Sequence, residues 1–221
     1  MATLYIVATP IGNLEDMTLR AIRVLKEVSV VFCEDTRTSA KLFSQYEIGT
    51  PRESFHAQSP LSRIDRIIGL LEDGNDVALI TDAGTPGVSD PGSLLVSEVR
   101  MRTDANISPI PGASALTAAL SIAGVGLSDF VFLGFLPHKK GRSTLFREMA
   151  ESKRAYVFYE SPHRIMKTLE SLKGLENKKV TILRELTKIF EERVSGTPAE
   201  VLTYFTEHTD KVRGEFVVIV S

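Results

Sequence analysis

The sequence predicts an α/β protein made of two successive α/β domains, the first around a mostly parallel sheet and the second around a mixed one, with a cleft between them. Three observations carry this reading. Apolar runs of strand length alternate with segments of helical period along the whole chain, the order that builds a sheet covered by helices. The pattern restarts after a nearly charge-free, helix-prone stretch, Gly112–Ala123 (GASALTAALSIA), which divides the chain into residues 1–112 and 113–221 and suits a helix packed closely between two bodies. Beyond that boundary strands outnumber crossover helices, so not all of them can be parallel.

In the first half, Leu4–Ala8 (LYIVA) reads as a buried strand closed by Thr9, Pro10, Ile11, Gly12 and Asn13, a loop facing a ligand. Leu19, Ile22 and Leu25 recur at helical spacing between Arg20, Arg23 and Lys26. Val28–Cys33 is a second strand running straight into Glu34, Asp35, Thr36 and Arg37. Thr50–Gln58 has no period and reads as a loop. Ser59 and Pro60 read as an N-cap and first helical residue ahead of Leu61, Ile64, Ile67, Ile68 and Leu71.

The stretch that organises this half is Val77–Gly92 (VALITDAGTPGVSDPG). An apolar strand ends in Thr81 and Asp82, and Gly84, Pro86, Gly87, Pro91 and Gly92 then forbid a regular element. A plain strand-to-helix turn needs two to six residues, so this surplus of Gly and Pro indicates a backbone shaped for a ligand, at the strand end where open α/β sheets place their crevice. Ser93–Arg102 is a helix, and Ile107–Ile110 a strand ending in Pro111 and Gly112.

In the second half, the expected elements are strand Phe130–Phe135, a basic helix from about Gly141 and strand Ala155–Glu160. A helix capped by Ser161 with Pro162 at its first position follows, then strand Val180–Leu183 and a strand near Phe190–Val194. Helix Ala199–His208 opens on a Thr197–Glu200 capping box with Pro198, and strand Glu215–Val220 closes the chain.

Composition excludes little, at 43% hydrophobic and 24% charged residues, the values of an ordinary globular chain. The net charge of −2 hides an asymmetry. Residues 1–112 carry 10 Lys and Arg against 15 Asp and Glu, residues 113–221 carry 16 against 13, and the second half is the one suited to a polyanion. A lone Cys33, an N-terminus without a basic leader and the lack of a membrane-length apolar run lead to the expectation of a soluble, cytoplasmic protein.

Familiar chemical signatures are missing. Gly124, Val125 and Gly126 begin like a dinucleotide fingerprint, but Asp129 stands at the third glycine and no strand precedes, so a hinge is the better reading. There is no phosphate loop or GxSxG elbow, and His56, His138, His163 and His208 are scattered, so no metal is expected. Glu34, Asp35 and Arg37 are either a structural ion pair or, with Asp82, carboxylates placed to activate a hydroxyl or hold a ribose. Leu136–Arg142 is either a solvated basic loop or a phosphate-contacting one. Glu160 is at most a wall of the site.

Taken together, LYIVATPIGNLEDMTLRA, CEDTR, LITDAGTPGVSDPG, PIPGASA, FLGFLP, YESPHR and GEFVVIV resemble the tetrapyrrole-methylase superfamily of S-adenosylmethionine enzymes. Within it they are similar to the branch that methylates the 2′-hydroxyl of a cytidine in small-subunit ribosomal RNA. The first loop reads Ala8–Asn13 where tetrapyrrole-modifying members carry a GxGPGD-like segment, which favours the RNA branch.

The resemblance implies a homodimer with S-adenosylmethionine in the interdomain cleft. It maps cofactor contacts onto Thr81, Asp82, Ala83, Gly84 and Thr85, onto Pro111, Gly112, Ala113 and Ser114, and onto Phe135, Leu136 and Ser161, with Pro10 and Gly12 in the first loop. Branch members commonly continue past the last strand in a helical extension, whereas this sequence ends at Ser221. On this reading Asp35 and Glu34 are candidates for the base, Arg37 places them or a phosphate, and His138, Lys139, Lys140, Arg142 and Arg147 meet the RNA backbone of a small-subunit particle. Neither membrane nor DNA is expected as a partner. A methyltransferase acting on a tetrapyrrole-like small molecule and a non-catalytic cofactor-binding module are the alternatives.

Overall fold

The computed structural model describes residues 1–56, 58–89, 92–126 and 129–221. Asp90 and Pro91 of the organising stretch, Ala57 of the Thr50–Gln58 segment, and Leu127 and Ser128 before Asp129 lie outside the described residues. Two compact units emerge, Met1–Ser114 and Ala115–Ser221, each an α/β half around its own five-stranded sheet.

In the first unit, β1 (Thr3–Val7), β2 (Val30–Cys33), β3 (Arg52–Ser54), β4 (Val77–Ile80) and β5 (Asn106–Ile110) pair in the order β3-β2-β4-β1-β5. Every pairing is parallel. Strands β2 and β4 are buried at every position, as continuous apolar runs covered on both faces must be. One layer joins Val7, Val31 and Ala78 to Ala21, Val24 and Leu25 of α1 (Leu19–Glu27) and to Leu42 and Phe43 of α2 (Thr36–Gln45). The other joins Leu4, Phe32 and Leu79 to α3 (Leu61–Glu72) and α4 (Gly92–Arg102). Parallel pairing sends all five carboxyl ends out of the same side of the sheet.

In the second unit, β6 (Phe130–Phe135), β7 (Ala155–Glu160), β8 (Val180–Arg184), β9 (Glu192–Gly196) and β10 (Phe216–Val220) run β6-β7-β10-β8-β9. Only β6 and β7 are parallel; β10 is antiparallel to both β7 and β8, and β8 to β9. Phe158, Ile182 and Val218 pack on Ile165 and Leu169 of α7 (Ile165–Leu172) and on Val201 and Phe205 of α8 (Pro198–Glu207). The Thr197–Glu200 capping box forms as expected. Helices α5 (Ala115–Ile122) and α6 (Arg142–Glu151) complete the unit.

Several local expectations are corrected. Arg52–Ser54 is a strand, made by pairing its backbone with β2 rather than by any apolar period. Beyond β2, Asp35 is the N-cap of α2, a role the sequence reading did not assign it, its side chain accepting from the Arg37 amide. Helix α3 is capped by Pro60 without a side-chain bond, while Ser59 Oγ accepts from the His56 amide. The first turn after Ser161 is not yet α-helix, and α7 starts at Ile165 with Arg164 as its cap. Strand β9 begins at Glu192, two residues beyond the expected start. Leu19 and Leu61 stand exposed, because the buried faces of α1 and α3 begin one turn later.

Candidate active site

Three loops meet where β4, β1 and β5 end side by side. Thr9 and Gly84 exchange both backbone hydrogen bonds, Thr9 N to Gly84 O at 2.9 Å and Gly84 N to Thr9 O at 3.0 Å. Thr9 is 3% exposed, and its hydroxyl donates to Thr81 O at 3.0 Å. Thr85 Oγ1 donates to Ala113 O at 3.2 Å, tying the β4 loop to the segment after β5. The contacts are backbone-close, so small residues are obligatory: Gly84 has φ +83°, and a Cβ on Gly112 would lie 3.0 Å from the Ala8 Cβ. The knot is open to solvent only in part: Gly12, Asp82, Ala83, Pro111 and Gly112 are exposed, while Gly84 is buried and Pro10, Thr81, Thr85, Ala113 and Ser114 are half-buried.

Four charged residues, Glu34, Asp35, Arg37 and Asp82, lie beside it. Thr81 Oγ1 donates to Glu34 Oε2 at 3.1 Å, and the Asp35 amide donates to Asp82 Oδ1 at 3.0 Å, so the ends of β2 and β4 are laced together. Arg37 holds Asp35 in a two-pronged grip, Nη2 to Oδ2 at 2.7 Å and Nε to Oδ1 at 3.1 Å. That grip, with the Arg37 amide, pulls the Asp35 carboxyl down to about 2. Asp82 moves the other way: partial desolvation, opposed by the Asp35 amide and reinforced by the Glu34 and Asp35 carboxylates, leaves it above the ordinary carboxylate value. A small open depression is lined by Glu34, Phe55, Leu79, Ile80, Thr81, Pro86 and Gly92.

The second unit holds its strand ends differently. Phe135 is exposed, with its ring edge-on to Tyr159 at 5.6 Å, while Leu136 is buried. Behind them lies Glu160, a strand-end carboxylate whose side chain is fully buried. Its Oε1 accepts from the Ser161 amide at 3.0 Å and pairs with Arg164 Nε at 3.2 Å. Its Oε2 accepts from Thr168 Oγ1 at 2.6 Å and lies 3.9 Å from Arg142 Nη2. Arg164 Nη2 also donates to Leu136 O at 2.6 Å, and Arg142 Nη1 to Pro137 O at 3.4 Å. A buried carboxylate needs this many partners to offset its lost hydration, and the partners in turn fix the loop after β6.

Arg142 is therefore a correction. The sequence pattern groups it with the RNA-facing cations, but its side chain is 11% exposed, lies over the Phe146 ring, donates to Thr168 and is committed to the Glu160 network. His138, Lys139, Lys140 and Arg147 are exposed, and none makes an ion pair among the described residues. Sequence reasoning missed Arg164 and Thr168, whose roles depend on a carboxylate four and eight residues away. It also missed the Thr9 latch. The YESPHR run held the available signal, a charge at the end of an apolar strand with an arginine four residues on. Among the described residues no cluster of three or more His, Cys, Asp and Glu could hold a metal ion, and no helix is long and apolar enough to cross a membrane.

Comparison with known proteins places this geometry. A protein from Synechocystis sp. described as ribosomal RNA small subunit methyltransferase I is 43% identical over 226 residues, covering 100% of this chain and 79% of its own length. One of the same description from Thermotoga maritima is 41% identical, covering 100% and 99%. The crystal structure of uroporphyrin-III C-methyltransferase from Thermus thermophilus, complexed with S-adenosylhomocysteine, matches the fold over 100% of this chain and 97% of that one. Its TM-score is 0.66 and its identity 20%. Residues 3–202 match the family described as tetrapyrrole (corrin/porphyrin) methylases. The chain belongs to that methyltransferase family.

Proposed function

We propose that the chain transfers the methyl group of S-adenosylmethionine to the 2′-hydroxyl of a cytidine in small-subunit ribosomal RNA. The observation that carries the proposal is the backbone-knotted strand-end site in a chain more than 40% identical, over its full length, to proteins described as small-subunit rRNA methyltransferases. The cofactor supplies an activated sulfonium methyl group, a good electrophile that needs no metal.

The residues present fit that cofactor. The knot of Ala8, Gly84, Gly112 and Ala113 displays backbone rather than side chains, as a polar amino-acid or nucleoside ligand requires. The first unit's own pocket, lined by Glu34, Thr81 and Pro86 among others, is far too small to enclose such a ligand. In our reading Phe135, Leu136 and Ser161 also contact the cofactor, and the protein acts as a homodimer in the cytoplasm.

The chain's work is then alignment of a ribose oxygen with the methyl group and exclusion of water, with a carboxylate to take the hydroxyl proton. Asp35, held near 2 by Arg37, is a weak base and serves as helix cap and brace. Asp82 is the better candidate: it carries the raised carboxyl, with Glu34 beside it. In this scheme the strand-end carboxylates are shared between roles, Asp82 accepting the proton, Glu34 holding Thr81 and Arg37 holding Asp35. His138, Lys139, Lys140 and Arg147 contact RNA phosphates.

The test is transfer of label from S-adenosylmethionine to small-subunit particles, with the product nucleoside identified by mass. The expected product is 2′-O-methylcytidine. Asp82→Asn should lose roughly 10²–10⁴-fold in turnover at saturating S-adenosylmethionine, and Asp35→Asn should lose far less. The wild-type rate should rise with pH through a pKa above the ordinary carboxylate range, because the deprotonated form is the base. Label on a base rather than a ribose, or full turnover by Asp82→Asn, would refute the scheme. Loss of RNA affinity between low and moderate salt distinguishes an RNA substrate from a tetrapyrrole.

A further inference from the structure

The connection between β8 and β9, residues 185–191, is not used by the site described above and is unusual in four respects. Glu185 and Thr187 both have left-handed backbone, φ +53° and +65°, a conformation that is a genuine outlier for β-branched threonine. Thr187 Oγ1 is shielded from water and has no hydrogen-bond partner. The loop is nonetheless braced: Lys188 Nζ bridges Glu185 and Glu215 at 2.8 Å each, and the Thr187 amide donates to Glu191 Oε2 at 2.6 Å. At its tip this rigid turn presents Ile189, 91% exposed, and Phe190, 58% exposed.

Strain that persists because surrounding contacts enforce it is characteristic of ligand clamps, and here the enforced product is an apolar tip aimed at solvent. The guanidinium of the exposed Arg213 lies 5.7 Å from the Phe190 ring centroid and makes no ion pair among the described residues. The loop also leaves the sheet at the same end as Leu136 and Ser161, since Phe216 pairs with both Glu160 and Arg184.

We propose that Phe190, with Ile189 beside it and Arg213 at its edge, is a docking point for an unpaired nucleotide of the RNA substrate, the ring stacking on the base and the guanidinium meeting a phosphate. The proposal rests on the rRNA reading above. Two exposed side chains offer far less than the ~800 Å² per partner of a stable protein interface. An aromatic face beside an unneutralised cation matches the two chemistries of a single-stranded nucleotide, a stacking surface and a negative charge.

The chain contains no tryptophan, so Phe190→Trp installs a single fluorophore at the tip. Titration with a transcript of small-subunit rRNA should quench it saturably, at the RNA concentration where filter binding saturates. Phe190→Ala should bind the transcript roughly tenfold more weakly or worse, Phe190→Tyr should retain affinity, and Arg213→Ala should lower the salt slope of binding by about one. Unchanged fluorescence of the Phe190→Trp variant at RNA saturation, or equal affinities for wild type and Phe190→Ala, overturns the proposal while leaving the methyltransferase reading intact. Quenching that follows protein concentration without RNA overturns it in favour of self-association. A wild-type protein that neither binds nor methylates the transcript removes both readings.

Discussion

At the carboxyl end of the first sheet the loops hold one another by main chain, through the paired Thr9–Gly84 bonds and the Thr85–Ala113 link. At the corresponding end of β6 and β7 the hold is by side-chain charge, two arginines and a threonine closing on the buried Glu160. The first arrangement brings backbone close to backbone and leaves exposed main chain for a ligand. The second keeps a side-chain wall in place and tolerates a longer, basic loop beyond it. The same task, fixing a strand-end loop, is thus solved by small residues in one unit and by a buried ion network in the other, and the two should fail differently.

The largest effect is expected at Glu160. Glu160→Ala leaves Arg142 and Arg164 largely buried without their shared partner, and loss of about 3–5 kcal/mol in urea unfolding is expected. Adding Arg142→Met should recover part of that loss, because the residues act as one network. Next is Gly112→Ala, where the new Cβ meets Ala8 at 3.0 Å; the overpacking should cost about 1–3 kcal/mol. It should also weaken cofactor binding measured by calorimetry, whereas a change confined to stability would show that the knot is not part of the site.

A smaller change is expected for Thr9→Val, which removes the hydroxyl bond to Thr81 O at a cost of about 1 kcal/mol. The smallest is a pH effect. Asp35 has a folded-state pKa of about 2 against an ordinary 3.8, so the stabilisation from its pairing with Arg37 is present above pH ~4 and lost as pH falls towards 2. Arg37→Ala should flatten that part of the stability profile. The size will be modest because the Arg37 side chain is 90% exposed.

These contrasts also mark what the sequence makes legible. Strands β1, β2, β4, β6, β7, β8 and β10 are evident because each is a short, uninterrupted apolar run, and the β4 loop is evident because Gly and Pro act locally. Strand β3 is not, since Arg52, Glu53 and Ser54 carry no apolar signal and become a strand only by pairing with β2. Asp35 draws notice for its charge, yet its helix-capping position decides its role. Arg142 looks like its neighbours Lys139 and Lys140, but its burial is dictated by Glu160, eighteen residues on, and a contact at that range leaves no mark in local pattern. Phe190 reads as the start of a strand, whereas the left-handed turns at Glu185 and Thr187 delay β9 to Glu192 and turn Phe190 outward.

The central claim is that the glycine- and proline-rich loop after β4 holds the methyl donor. Ultraviolet cross-linking of methyl-labelled S-adenosylmethionine to the protein, followed by peptide mapping, tests it most directly. Label on the Thr81–Ser89 peptide, competed away by S-adenosylhomocysteine, is the expected result. Competable label that leaves this loop unmarked, for instance on α3 or α8 alone, would contradict it.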